Sequence, residues 1–162
     1  TAHQAHHENL FVSWDEITIP FKIKKHAGHP LNVGTEHIDR WKVIISYLTA
    51  EHAGQPDKNG MFKVLSTMEI LPPASVCTET YLLAGSFENK IEAQNLLSYL
   101  KTRFVRFLIA QVAVSQHITR SCFAFVPIQD FSKPWTDAEL YAKYGLDEEE
   151  IAFIESMIKP MD

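Results

Sequence analysis

The stretch ENKIEAQNLLSYLKTRFVRFLIAQV, residues 88–112, decides the architecture. Its apolar residues Ala93, Leu96, Leu97, Leu100, Phe104, Phe107 and Leu108 recur at spacings of three and four, the period of a helix with one buried face. The spacing predicts a single amphipathic helix over 88–112, about 37 Å long at ~1.5 Å per residue. Ser86 or Phe87 stands near its cap, and Glu88 in the first turn suits the positive end of the helix dipole. The opposite side carries Lys90, Gln94, Lys101, Arg103 and Arg106.

Upstream of this helix the period changes to two. Ile17, Ile19, Phe21 and Ile23 alternate with Thr18, Lys22 and Lys24, the pattern of a half-buried strand, and Pro20 suits an edge position. Residues 26–34 read as a loop. Further strands are predicted at 42–48, within 61–70 ending before Pro72-Pro73, and at 76–84, with 51–60 as a connection rich in turn formers. Downstream, the apolar run 122–128 reads as another strand. Thr136 with Glu139 three residues on forms a capping box that opens a short helix over 136–144, which Gly145 ends. A last helix spans 147–158, with Asp147 to Glu150 in its first turn. The expected fold is therefore α+β: a mixed or antiparallel sheet of about five strands, one long amphipathic helix and two short C-terminal helices. Trp135, Tyr141, Tyr144, Phe153 and Ile154 read as the core that docks those terminal helices, within a tail covering 134–160.

A chain of 162 residues suits one domain, here 10–162, preceded by a polar terminus over 1–9. Hydrophobic residues at 46% and charged residues at 22% exclude disordered and collagen-like classes. No apolar run reaches the ~18–20 residues of a membrane span, and no signal peptide opens the chain, so no membrane partner is expected. Cys77 and Cys122 lie outside any CxxC pattern and read as ordinary thiols in a reducing cytoplasm. The net charge of −5 is unevenly spread. Residues 1–129 hold 12 Lys and Arg against 11 Asp and Glu, whereas 130–162 hold 3 against 9. An acidic total argues against a free-standing nucleic-acid binder, but not against one whose cations gather away from an acidic tail.

Catalytic patterns are missing. There is no G-x-G-x-x-G, no phosphate-binding loop and no G-x-S-x-G. Asp15 and Glu16 before Lys22 and Lys24 fit a metal-dependent nuclease poorly, and His117-Ile118-Thr119 is one copy of an element that two-histidine phosphoesterases need twice. Leu71-Pro72-Pro73-Ala74 lacks the Asn or Asp and the aromatic residue of the NPP motif that adenine methyltransferases use. His3, His6 and His7 lack the supporting shell of a metal site. One constellation remains: Lys101, Arg103 and Arg106 on the helix, then Gln111, Ser115, Gln116, His117, Thr119 and Arg120. Long cations suit phosphate contacts, and Gln, Ser, Thr and Arg can read base edges. A solvated helix face followed by a polar loop explains the same residues.

Several stretches in order resemble a known family over residues 36–160. They are Cys77-Thr78-Glu79-Thr80-Tyr81, Gly85-Ser86-Phe87, Glu92 to Leu96, Tyr99 to Leu108, Gln116 to Arg120, Phe125-Val126-Pro127, Trp135-Thr136-Asp137, Leu140 to Leu146 and Glu149 to Glu155. Together they resemble the C-terminal region of adenine-specific DNA methyltransferases of type II restriction–modification systems, including fused restriction–methylation enzymes. The resemblance implies a target-recognition region that grips double-stranded DNA and is not catalytic by itself. An upstream methyltransferase domain of the parent protein then binds S-adenosylmethionine and carries the NPP motif, and no cofactor belongs to this chain. On this basis Lys101 and Arg103 are expected at phosphates, and Gln116, Thr119 and Arg120 near base edges, with His117 in the same set. Arg106, between Phe104-Val105 and Phe107-Leu108, is expected either at DNA or paired internally with an acid of the C-terminal helices. An alternative role is an assembly module that docks on the methyltransferase domain or another subunit. An exposed apolar stripe on 147–158 would favour that role, and a basic concave surface near 101–120 would favour DNA.

Overall fold

A computed structural model describes residues 35–51, 55–78 and 80–161. The strand expected over 17–24, the loop over 26–34 and the polar terminus lie outside these residues. Within them, three strands form one antiparallel sheet: β1 (Trp41–Ser46), β2 (Met68–Leu71) and β3 (Tyr81–Phe87), in the order β2-β1-β3. Four helices follow: α1 (Lys90–Lys101), α2 (Arg103–Ala110), α3 (Asp137–Tyr144) and α4 (Glu148–Met157). The class is α+β, but the expected sheet of about five strands is corrected to three among the described residues.

Each departure has a local cause. The apolar run 122–128 does not pair with the sheet. A 3-10 turn covers Arg120–Phe123, and turn bonds from Ala124 to Ser121 and from Val126 to Phe123 follow it. These turns drive Cys122, Phe123 and Val126 into the core, so the run is apolar because it plugs rather than because it pairs. Pro127, with no N–H, could not donate to a ladder; its carbonyl accepts from the Tyr99 hydroxyl at 2.6 Å. The strand expected over 61–70 shrinks to β2 because Val64 adopts φ 72°, which no extended run can contain. The one over 76–84 starts at Tyr81, after a turn closed by Tyr81 N–H on the Thr78 carbonyl.

In β1, Val43 and Ile45 face one way and pack with Leu82 and Ala84 of β3 beneath Ala93, Leu96, Tyr99 and Leu100 of α1. A bulge between Val43 and Ile44 sets Gly85 opposite Val43 and Leu83 opposite Ile44. A Cβ on Gly85 would stand 2.5 Å from the buried Leu96 side chain, so the helix approaches the sheet there as only glycine allows. Lys42 lies on the other face of β1 and is itself buried.

The long helix is broken. Thr102 leaves helical geometry at φ −59°, ψ 149°, ending α1 with its N–H on the Tyr99 carbonyl and opening α2 with its hydroxyl accepting from Val105 N–H. Capping of α1 falls to Asn89, whose side chain accepts from Glu92 N–H at 2.9 Å, rather than to Ser86 or Phe87, which belong to β3. The C-terminal helices form as expected. Thr136 and Glu139 make a reciprocal capping box, Gly145 ends α3 at φ 68°, and Asp147 caps α4. Trp135, Tyr141 and Ile154 are core residues, but Tyr144 and Phe153 are exposed, which corrects their expected burial.

Candidate nucleic-acid interface

The break at Thr102 builds the first cluster. The first N–H groups of α2 have no partner within the helix, and the Asp137 carboxylate at the start of α3 accepts two of them, from Arg103 at 3.1 Å and Phe104 at 2.9 Å. A tertiary contact thus caps α2 and turns the chain between Lys101 and Arg103. An open groove of about 510 Å3 results, walled by Ser98, Lys101, Arg103, Trp135, Asp137 and Met161.

The three expected cations do not present themselves equally. Lys101 is half-buried at the groove wall. Arg103 is ion-paired with Glu155 of α4 at 3.2 Å. Arg106 is 0% exposed. Its guanidinium donates to the carbonyls of Lys101 (2.9 Å), Thr102 (3.3 Å), Lys63 (3.1 Å) and Lys159 (2.8 Å). Burial pushes its pKa down to about 10, so it stays charged at neutral pH. The expectation of a DNA contact from Arg106, or of an acid partner on the terminal helices, gives way to carbonyl clamping.

The second cluster is assembled on the end of β1. Thr49 N–H donates to the Gln116 carbonyl at 2.9 Å, and Ile118 N–H to the Tyr47 carbonyl at 2.7 Å. Ile118 is fully buried and anchors the segment, whereas Gln116 and His117 are exposed. The His117 ring stacks on Tyr47 at 4.6 Å between centroids. Thr119 is drawn into local bonding, its hydroxyl 2.8 Å from that of Ser121. Neither Gln116 nor the half-buried Arg120 has a side-chain partner among the described residues. Gln116, His117, Thr119 and Arg120 do not line the groove that holds Lys101 and Arg103. The candidates expected as one set therefore form two patches.

Nearby lies a smaller cavity of about 270 Å3, walled by Thr49, Glu51, Phe62, Val64, Gln111 and Ser115. The Glu51 carboxylate accepts from the backbone N–H groups of Lys63 and Val64. Leu65 N–H closes on the Lys63 carbonyl at 3.0 Å, making Val64 the centre of a tight three-residue turn. That turn was not legible as a site, because Lys63-Val64-Leu65 reads as strand; only the Asp57-Lys58-Asn59-Gly60 run before it carries turn chemistry.

Among the described residues no group of three or more His, Cys, Asp or Glu is placed to hold a metal ion. Both cysteines are free; Cys122 is buried, and burial raises the pKa of the half-buried Cys77. Among the same residues no helix is long and apolar enough to cross a membrane. No protein-family model matches the chain, and no curated protein or solved structure shows significant similarity to it.

Proposed function

We propose that this chain is the DNA target-recognition module of an adenine-specific methyltransferase from a restriction–modification system, working in a prokaryotic cytoplasm beside a domain that binds S-adenosylmethionine. The observation that carries the reading is the Gln116–Arg120 segment. Main-chain pairing to Tyr47 and Thr49 fixes its backbone, Ile118 anchors it, and Gln116 and Arg120 keep hydrogen-bonding groups unspent. A rigid backbone with unspent Gln and Arg side chains is what base-edge or phosphate recognition requires. The resemblance in sequence points the same way. The acidic tail over 130–162 is repelled by phosphate, so this reading directs it away from the duplex.

The test is fluorescence anisotropy of the chain with labelled random duplexes at low and moderate salt, followed by selection of the preferred sequence. Binding should weaken as salt rises. Arg120→Ala should cost about 1–3 kcal/mol if the guanidinium reads a base, or flatten the salt slope by about one unit if it meets a phosphate. Unchanged affinity, selectivity and slope would remove Arg120 from the interface.

A second reading, assembly onto the methyltransferase domain, is favoured by one surface. Between α2 and α4 an apolar groove of about 340 Å3 is walled by Phe104, Phe107, Leu108, Leu146, Phe153 and Ile154. Phe153 is 57% exposed and meets Phe107 edge-on at 6.0 Å. Glu148, Glu149 and Glu150 flank it in the first turn of α4, so the complementary face is apolar and basic. Phe153→Asp should weaken association with the methyltransferase domain at least ~10-fold, about 1.4 kcal/mol, by sedimentation of the mixed domains. Equal association would discard this surface as the docking face.

A further inference from the structure

The DNA reading leaves the turn over Asp57–Met61 without a role. Asp57 N–H donates to the Met61 carbonyl at 2.9 Å and Gly60 N–H to the Asp57 carbonyl at 2.9 Å, with Gly60 at φ 77°. The Asp57 carboxylate also accepts from Asn59 N–H (2.9 Å) and Met61 N–H (3.1 Å), and the Lys159 ammonium pairs with it at 3.2 Å. These bonds hold the Asp57 carboxyl below its usual pKa, the Met61 and Asn59 N–H groups contributing most. The turn is thus tightly closed and pinned, while Lys58 and Asn59 at its tip are exposed and have no side-chain partner among the described residues.

Its position matters as much as its rigidity. Lys159, which pins the turn, is followed by Pro160 and Met161, which border the groove containing Lys101 and Arg103. Phe62, which follows the turn, walls the smaller cavity together with Thr49 and Ser115, next to Gln116. The turn is therefore linked to the first patch through Lys159 and to the cavity beside the second through Phe62. Asp57 and Glu51 are both occupied: the Asp57 carboxylate pairs with Lys159 and accepts from the Asn59 and Met61 N–H groups, and the Glu51 carboxylate takes the Lys63 and Val64 N–H groups. A point cation and an amide carried on a pinned turn are the groups that position on phosphate and read adenine.

We infer that the Asp57–Met61 turn is a further DNA-contacting element that joins the Lys101–Arg103 groove to the Gln116–Arg120 edge, Lys58 meeting a phosphate and Asn59 a base edge. The inference rests on the target-recognition reading. It is tested with the full chain and the duplex selected by the unmodified protein. Lys58→Ala lowers affinity for all duplexes alike and flattens the salt slope by about one unit. Asn59→Ala leaves the slope unchanged and reduces discrimination about 5- to 150-fold at one base pair. Neither side chain bonds to a described residue, so thermal melts of the variants should coincide with that of the unmodified chain. If Arg120→Ala or Gln116→Ala weakens binding while both turn variants bind and discriminate normally, the turn is overturned and the target-recognition reading stands. If the unmodified chain binds no duplex at either salt concentration, both fall together.

Discussion

Arg106→Ala is expected to destabilise the fold by about 3–5 kcal/mol, read as a lower urea midpoint at an unchanged slope. The guanidinium is fully buried and joins three separate parts of the chain: the α1–α2 junction through Lys101 and Thr102, the tight turn through Lys63, and the C-terminal segment through Lys159. Truncation leaves the Lys63 and Lys159 carbonyls without this donor and opens a void where the stem lay. Each effect has its own cost, about 1–3 kcal/mol for a buried group left unpaired and a further amount for the void. Arg106→Lys keeps the charge but loses the planar fork that reaches two chain segments at once, so it should recover only part of the loss. Stability within about 1 kcal/mol of the unmodified chain, combined with weaker DNA binding, would return Arg106 to the DNA-contacting set.

Lys42→Ala is expected to cost about 2–4 kcal/mol, by the same logic on the other side of the sheet. The Lys42 ammonium donates to the carbonyls of Arg40 (2.7 Å), His37 (2.9 Å) and Ile38 (3.1 Å), with the Pro72 carbonyl at 3.4 Å. Burial lowers its pKa, while the nearby Cys77 and Asp39 oppose that shift. The side chain thereby ties the 37–40 turn and the end of β2 to the start of β1. Amide exchange should accelerate first at Arg40 and Ala74, whose N–H groups bond the His37 and Ile38 carbonyls. A melt unchanged from that of the unmodified chain would show that water replaces the ammonium at no cost.

Both predictions concern cations that look alike in sequence and differ in use. Lys42 sits in KVIIS, where alternation would turn it toward solvent, and Arg106 sits on the polar side of the helical period. Burial of a charge requires hydrogen-bond partners, and part of each set comes from distant segments, here Pro72 for Lys42 and Lys63 and Lys159 for Arg106, which no local pattern contains. Arg103 is likewise committed to Glu155, while Arg120 is not committed to any described residue. Phe153 illustrates the reverse case, an apolar residue at helical spacing that packs edge-on against Phe107 yet remains mostly exposed.

Elements whose signals are local were legible. The Thr136–Glu139 box, Gly145 and Asp147 with Glu150 place both terminal helices, because a cap is satisfied within four residues of itself. The alternation in β1 and the β-branched and aromatic content before Phe87 place two strands, and the three-and-four spacing places α1 and α2. Tertiary structure alone decided that Thr102 divides the helix, since the exposed N–H groups of α2 are tolerated only where Asp137 accepts them. It alone decided that 122–128 plugs the core instead of extending the sheet, since an apolar run satisfies either arrangement. By itself the sequence determined the α+β class and the terminal helices. Which cations remain at the surface, and that they form two patches, was decided by contacts between residues far apart in the chain, such as Arg106 with Lys63 and Lys159.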